Sequence, residues 1–200
     1  HHQPRRQRQM CIRDRDITNA SRTMLFNINT LRWDDELLKL FDIPKTLLPE
    51  VVHSDSCFGS LSELGDITIH AVLGDQQAAL FGQGCLEKGQ LKSTYGTGCF
   101  IMSNVGDEPI HSEDGLLTTI GFSLNGKVYY AIEGSIYASG TTVQWLRDNL
   151  QFFDKSDQSE IYLNEDGNAN NVLFIPAFTG LGAPYWNSEI RASFHGITRD

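Results

Sequence analysis

The pattern of apolar and polar positions predicts an extended segment at residues 24–28, followed by a short helix at residues 33–41. Residues 33–41 carry acidic side chains in their first turn and end shortly before Pro44, as is typical of a short helix. Leu37, Leu38 and Phe41 share one face of that helix and are predicted to be core residues. An apolar face of this kind is stable only when other elements of the domain cover it.

A strand that runs directly into a helix is predicted further along the chain. Residues 67–73 (ITIHAVL) have strand-like character, and residues 75–83 contain the helix-forming run QQAAL. Asp75 stands at the corner between the two elements, near the helix N-terminus. A carboxylate is favoured at this end of a helix, and such a corner is where a fold can present it to a ligand.

From residue 90 onwards the pattern becomes that of β-strands. Residues 90–104, 115–124 and 127–132 are rich in β-branched and aromatic side chains. Asn125-Gly126 predicts a tight hairpin between the last two of these segments. The later elements are predicted to be helices at 139–152 and 158–163 and a buried strand at 172–175. We therefore expect an α/β domain that starts near residue 87.

Composition and charge exclude several classes of function. The chain has 200 residues, of which 40% are hydrophobic, enough for a substantial core in one or two domains. Its formal net charge of −9 argues against nucleic acid as the main partner. No run approaches the roughly 18 apolar residues that a membrane span needs, so we expect a soluble, cytoplasmic protein.

The cysteine spacing indicates no metal ligands. The cysteines at 11, 57, 85 and 99 are widely spaced and form no Cys-x-x-Cys pair. Neither a zinc site nor a disulfide framework is therefore predicted, and reduced thiols are expected.

Residues 1–15 differ in composition from the rest of the chain. They hold five arginines, have no apolar period and contain no aromatic residue. We interpret them as a disordered arm foreign to the fold, either a cloning, assembly or gene-calling artefact or a native tail.

Two motifs carry most of the information about function. Residues 74–80 read GDQQAAL and residues 94–100 read TYGTGCF. Taken alone, Asp75 is explained by helix capping, and a Gly-Thr-Gly sequence is explained by a turn or a bulge. The same turn would also let backbone amides and one hydroxyl approach a phosphate, because its glycines have no Cβ.

In combination with three further blocks, at 16–27, 134–148 and 176–186, these motifs resemble the FGGY group of carbohydrate kinases. The run DQQAAL favours the glycerol kinases within that group. The resemblance implies an α/β, two-domain, actin-like (ribonuclease-H-like) ATPase fold, which is incomplete here. Residues 16–86 resemble the C-terminal part of the first domain, and residues 87–200 resemble the N-terminal part of the second.

The resemblance assigns roles at the substrate. Asp75 is implied to be the general base that accepts a proton from the attacking glycerol hydroxyl, and Gln76 to hydrogen-bond glycerol. Phe100 matches an aromatic residue that lines the carbon side of glycerol. An ordinary core aromatic explains Phe100 equally well from the residues alone.

The resemblance also implies ATP as the phosphate donor, with Mg²⁺ bridging its phosphates. Nucleotide contacts carry over at Thr97 and Gly98 in the turn. Two more carry over at Gly140 and Gln144, which lie four residues apart and so share a helix face. From the residues alone, a glycine near a helix start and a solvated glutamine explain that pair.

The implied activity is ATP-dependent phosphorylation of glycerol to sn-glycerol 3-phosphate. Because phosphoryl transfer needs groups from both domains, we expect the isolated chain to be inactive. Two alternatives stay open: an FGGY kinase for another polyol or sugar, and a non-catalytic actin-like module. Family members often form dimers or tetramers, so the full-length protein is a candidate homo-oligomer.

Overall fold

A computed structural model describes residues 14–164 and 171–199. Residues 1–13 of the predicted arm lie outside the described residues. The chain forms two compact units. The first comprises the described residues up to Lys92 together with Met102–Ser112 and Leu117–Glu133, and the second comprises Ser93–Ile101, Glu113–Leu116 and the described residues from Gly134 onwards.

The described residues contain short helices and short strands. The helices are α1 Ile17–Ala20, α2 Asp35–Leu40, α3 Asp75–Gly82, α4 Gly140–Asp148 and α5 Ile161–Asn164, with 3-10 turns at Lys45–Leu47, Ser62–Leu64 and Ser156–Glu160. The strands are β1 Asp14–Asp16, β2 Phe26–Asn27, β3 Arg32–Trp33, β4 Glu50–Val52, β5 Ser60–Leu61, β6 Ile67–Thr68, β7 Leu91–Tyr95, β8 Cys99–Gly106, β9 Leu117–Leu124, β10 Lys127–Ile136, β11 Leu173–Ile175 and β12 Ser193–His195.

The largest sheet has four strands in the order β7-β8-β10-β9. Strands β9 and β10 pair antiparallel, with Lys127 opposite Leu124. Asn125 and Gly126 between them have φ angles of 52° and 75°, the left-handed conformation that a tight hairpin turn needs. The hairpin predicted at these two residues is therefore confirmed.

Four smaller pairs of strands complete the sheets. Strands β1 and β4 pair parallel, with Arg15 opposite Val51. The pairs β2-β3, β5-β6 and β11-β12 are antiparallel. Asp14 and Arg15, which the sequence placed in the disordered arm, thus belong to a strand of the first unit.

Two apolar clusters form the core of the first unit. One lies where α1 packs near β9 and β10, and the other lies beneath α3. The members of the first are Ile17, Ala20, Phe26, Val105, Ile120 and Tyr130. The members of the second are Leu80, Cys85, Met102, Phe122 and Ala131. The short helices α1 and α3 are therefore held by burial against the sheet rather than by their own length.

Aromatic stacking holds α4 in the second unit. The Trp145 ring stacks on Phe174 at a centroid distance of 5.6 Å and lies 5.2 Å from the Phe178 ring. Phe174 also stacks on Phe194 of the neighbouring strand, at 4.2 Å. One face of α4 is thereby fixed against strands β11 and β12.

Several local predictions differ from the structure. Phe41 is 50% exposed, because α2 ends at Leu40 and Phe41 leaves the helical path with a ψ of 3°. The strand predicted at 67–73 stops at Thr68. The buried strand predicted at 172–175 has Leu173 59% exposed, since alternate side chains of a strand point to opposite faces and Phe174 takes the covered one.

Two helix predictions also change in length. The helix predicted at 139–152 ends at Asp148. The helix predicted at 158–163 is a 3-10 turn, Ser156–Glu160, that continues into α5. Within residues 14–164 and 171–199, no helix is long and apolar enough to cross a membrane.

Candidate active site

Asp75 is the first residue of α3 and is exposed. Gly74 precedes it as the N-cap, in an extended conformation and without a capping side chain. One oxygen of Asp75, Oδ1, accepts a hydrogen bond of 2.8 Å from the N–H of Gln76. The helix N-terminus therefore stabilises the carboxylate while leaving it open to solvent.

A buried hydroxyl fixes the backbone immediately before Asp75. The N–H of Gly74 donates to Thr18 Oγ1 at 2.9 Å, and Thr18 is fully buried. The same hydroxyl donates to Asp16 Oδ2. Thr18 thus uses its hydroxyl as both donor and acceptor, and it ties the start of α3 to the start of α1.

Asp16 is a buried carboxylate at the N-terminus of α1. It is 1% exposed and accepts from the N–H of Thr18 at 2.9 Å, the N–H of Asn19 at 3.2 Å and the Asn19 side-chain amide at 2.6 Å. Burying an ionised carboxylate is costly unless its oxygens are hydrogen-bonded, and here both are. The network therefore allows Asp16 to cap α1 inside the protein.

An ion pair attaches the chain after α1 to the sheet. Arg22 Nη1 and Nη2 each donate to one oxygen of Glu133, at 3.2 Å in both cases. The Glu133 side chain is 3% exposed and that of Arg22 is 43% exposed. This two-pronged geometry fixes the orientation of both groups.

Lys92 is a buried neighbour of Gln76 that sequence reasoning missed. The Lys92 side chain, on β7, donates from Nζ to Gln76 Oε1. Lys92 is 1% exposed and is among the largest fully buried side chains described. A lysine in a strand gives no pattern signal that separates burial from exposure, because most lysines are exposed.

The Gly-Thr-Gly turn lies in the second unit. The N–H of Gly96 donates to Gly98 O at 2.8 Å, which closes the turn, and Thr97 is exposed. The Thr97 carbonyl accepts from the N–H of Ser139 at 2.9 Å and from that of Thr141 at 3.2 Å. The turn therefore caps the N-terminus of α4 with its own carbonyl groups.

Close backbone contacts explain two of the glycines. A Cβ on Gly98 would lie 2.5 Å from the Ile136 carbonyl oxygen. A Cβ on Gly140 would lie 2.6 Å from the Gly96 carbonyl oxygen, which accepts from the Gly140 N–H at 2.9 Å. Gly98 therefore lets the turn lie against the end of β10, and Gly140 lets the start of α4 lie against the turn.

Gln144 is exposed one turn after Gly140 on α4, while its neighbour Trp145 faces the aromatic cluster. Phe100 is half-buried on β8. The structure thus places Asp75 and Gln76 together in the first unit. It places Thr97, Gly98, Phe100, Gly140 and Gln144 in the second.

The end of α4 carries an internal ion pair. Arg147 donates from Nε to Asp148 Oδ1 at 2.6 Å and from Nη2 to Oδ2 at 2.9 Å. This hydrogen bonding lowers the pKa of Asp148 below its usual value. The two charges therefore offset each other locally.

No group of three or more His, Cys, Asp or Glu side chains converges on a metal position in the part of the chain that the structure describes.

Comparison with known families accounts for nearly the whole described chain. The family described as "FGGY family of carbohydrate kinases, N-terminal domain" matches residues 13–82. The one described as "FGGY family of carbohydrate kinases, C-terminal domain" matches residues 91–200.

Curated relatives of this chain are glycerol kinases. The glycerol kinase of Natranaerobius thermophilus is 51% identical over 188 residues, covering 92% of this chain and 38% of the relative. Glycerol kinase 1 of Pseudomonas aeruginosa is 53% identical over 188 residues with the same coverage. The chain therefore spans 38% of the length of these relatives.

Solved structures share the fold. The crystal structure of Plasmodium falciparum glycerol kinase with ADP matches with a TM-score of 0.83 at 42% identity, over 94% of this chain and 38% of that one. A ligand-bound xylulose kinase from Lactobacillus acidophilus matches with a TM-score of 0.78 at 23% identity, over 93% of this chain and 39% of that one. The second likeness shows the fold alone.

The Thr18 hydroxyl generates a stability prediction. Thr18→Val keeps the shape but leaves the Gly74 N–H without its acceptor and removes one of the three hydrogen bonds to Asp16 Oδ2, so the free energy of unfolding should fall by about 2 kcal/mol. Thr18→Ser keeps the hydroxyl and should cost less than about 1 kcal/mol. Urea unfolding of both variants, followed by circular dichroism, measures the difference. Equal losses would show that the hydroxyl contributes nothing beyond packing.

Proposed function

Since the chain belongs to the FGGY family of carbohydrate kinases, we propose that it is part of an enzyme that phosphorylates glycerol with ATP. The product is sn-glycerol 3-phosphate. Identities of 51–53% to glycerol kinases support this choice of substrate. In that enzyme, residues 16–86 would form the C-terminal part of the first domain, and residues 87–200 would form the N-terminal part of the second.

The exposed carboxylate at the corner before α3 is the observation that carries the proposal. Asp75 follows a backbone N–H that the Thr18 hydroxyl holds in place, and its carboxylate accepts a hydrogen bond from the Gln76 N–H. In our proposal Asp75 accepts the proton of the glycerol hydroxyl as that hydroxyl attacks the γ-phosphate. A rigid support keeps the general base within hydrogen-bond reach of the proton that it removes.

Two further residues complete the proposed contacts to glycerol. Gln76 adjoins Asp75, and its amide is suited to hydrogen-bond a hydroxyl group. Phe100 would lie against the carbon side of glycerol, by resemblance to the family. The polar contacts from Asp75 and Gln76 would suit the hydroxyl groups of a small polyol.

The nucleotide is proposed to bind in the second unit. The turn at Thr97 and Gly98 is suited to phosphates, because Thr97 is exposed and its hydroxyl can donate to an anion. Gln144 is exposed on the same helix as Gly140, so its amide can reach a nucleotide. The tight contact at Gly140 supports the shape of this site indirectly, by seating α4 against the turn.

Mg²⁺ is proposed as the accompanying cation. Mg²⁺ commonly takes most of its ligands from phosphates and water, so it would be held chiefly by the nucleotide, and we assign no residue of this chain as its ligand. When bound, the cation would neutralise the negative charge that develops on the phosphates.

The isolated chain is proposed to be inactive. It spans 38% of its relatives, and phosphoryl transfer depends on positioning and charge stabilisation from a complete site. We further propose a cytoplasmic enzyme that forms homo-oligomers when complete. The free thiols at Cys57, Cys85 and Cys99 are in keeping with a reducing compartment.

A panel of substrates tests the proposed reaction. In a full-length chimaera, residues 16–200 of this chain replace the matching segment of the Natranaerobius thermophilus glycerol kinase. ADP production is measured with Mg²⁺-ATP and glycerol, dihydroxyacetone, xylulose, ribulose or gluconate. Turnover with glycerol far above the other four is the expected result, and the separate chain of residues 16–200 should show none.

The other outcomes separate the alternatives. A preference for xylulose, ribulose or gluconate would keep the kinase chemistry and reject glycerol as the substrate. If a chimaera that folds and assembles like the unmodified relative produces no ADP with any of the five compounds, a non-catalytic module is favoured.

Asp75→Asn tests the general base in the same chimaera. The amide cannot accept the proton, so kcat should fall by at least about a hundredfold, while the KM for glycerol changes little. Asp35→Asn, which removes an exposed carboxylate on α2, is the matched control and should leave kcat unchanged. Steady-state kinetics provide both values. An Asp75→Asn enzyme with the kcat of the parent would remove Asp75 from the mechanism.

A further inference from the structure

We propose that Lys92 is a positioning residue that fixes the orientation of the Gln76 side-chain amide, so that Gln76 meets the substrate as a hydrogen-bond donor. The inference rests on the proposed function, in which Gln76 contacts glycerol. It adds a residue that would not touch the substrate and a direction for the hydrogen bond at Gln76.

The contact that carries the inference joins two elements of the first unit. Lys92 reaches from β7 and donates from Nζ to Oε1 of Gln76, the second residue of α3. Because Lys92 is 1% exposed, solvent hardly competes for its ammonium group. The amide oxygen of Gln76 is therefore occupied from the protein side.

The Lys92 ammonium group allows only one orientation of the Gln76 side-chain amide. An ammonium group has three donors and no acceptor, so only the oxygen of the Gln76 amide can face it. The NH₂ group must then point away from Lys92, with two donors to offer. A glutamine without such a neighbour can turn its amide over and present either end to a ligand.

Burial makes the lysine an effective support. The Lys92 stem is enclosed by the protein, so its rotamer freedom is lost on folding and not on substrate binding. A buried ammonium group also needs hydrogen-bond acceptors, which favours keeping the contact to Gln76. The orientation of the amide is thus set before the substrate arrives, which lowers the cost of binding.

The consequence is a complementary pair at the corner before α3. An ionised Asp75 can only accept hydrogen bonds, whereas Gln76, with its oxygen turned towards Lys92, presents its NH₂ donors to the substrate. Such a pair suits a polyol, in which one hydroxyl donates to Asp75 and a hydroxyl oxygen accepts from Gln76. A site of this kind rejects analogues that lack one of the two hydroxyls, because a polar group is then left unpaired.

A double-mutant cycle in the full-length chimaera tests whether Lys92 acts through Gln76. The variants are Lys92→Met, Gln76→Leu and the double substitution, and kcat/KM for glycerol and the KM for ATP are measured for each. Lys92→Met should lower kcat/KM for glycerol by about tenfold in the parent and leave it unchanged in the Gln76→Leu background. The KM for ATP should not change. Lys39→Met, at an exposed lysine on α2, is the matched control.

An isosteric variant keeps the test informative if Lys92→Met folds poorly. Gln76→Glu retains an oxygen for Lys92 but replaces the NH₂ donor with a second acceptor, so it should lose kcat/KM for glycerol by at least about tenfold. Retained activity in Gln76→Glu, or a loss from Lys92→Met that is equally large in both backgrounds, would overturn the inference. A folded chimaera inactive on glycerol would instead overturn the proposed function itself.

Discussion

The hydroxyl of Thr18 is the contact on which the candidate site depends. It accepts from the N–H of Gly74 and donates to the buried carboxylate of Asp16, two partners that lie on different elements. A buried polar group without partners costs folding free energy, so the three groups stabilise one arrangement together. That arrangement defines where α3 begins, and hence where Asp75 stands.

In the second unit, backbone hydrogen bonds hold the Gly-Thr-Gly turn against the start of α4. The carbonyl groups of Gly96 and Thr97 accept from the first N–H groups of α4, and glycine at 140 permits this close approach, while glycine at 98 lets the turn lie against the Ile136 carbonyl of β10. These N–H groups are therefore used by the protein itself. A phosphate would therefore have to bind at the exposed side of the turn. The glycines contribute directly to the fold and only indirectly to ligand binding.

Neighbouring residues in the sequence predict several elements of the fold correctly. Features that depend on residues far apart in the sequence are not predicted. The Asn125-Gly126 hairpin and the start of α3 follow from adjacent residues, and both are confirmed. The bond from Gly74 to Thr18 spans 56 positions, and the one from Lys92 to Gln76 spans 16, so neither leaves a periodic signal. Phe41 and Leu173 were misplaced because helix ends and uncovered strand faces depend on tertiary packing.

A crystal structure of the full-length chimaera with glycerol and a non-hydrolysable ATP analogue would show directly whether Asp75 and Gln76 bind glycerol. We expect a carboxylate oxygen of Asp75 to lie about 2.6–3.2 Å from a terminal glycerol hydroxyl. The same structure should show Gln76 Nε2, and not Oε1, facing a glycerol oxygen. If glycerol is bound away from Asp75 and that carboxylate still faces solvent, Asp75 is not the general base.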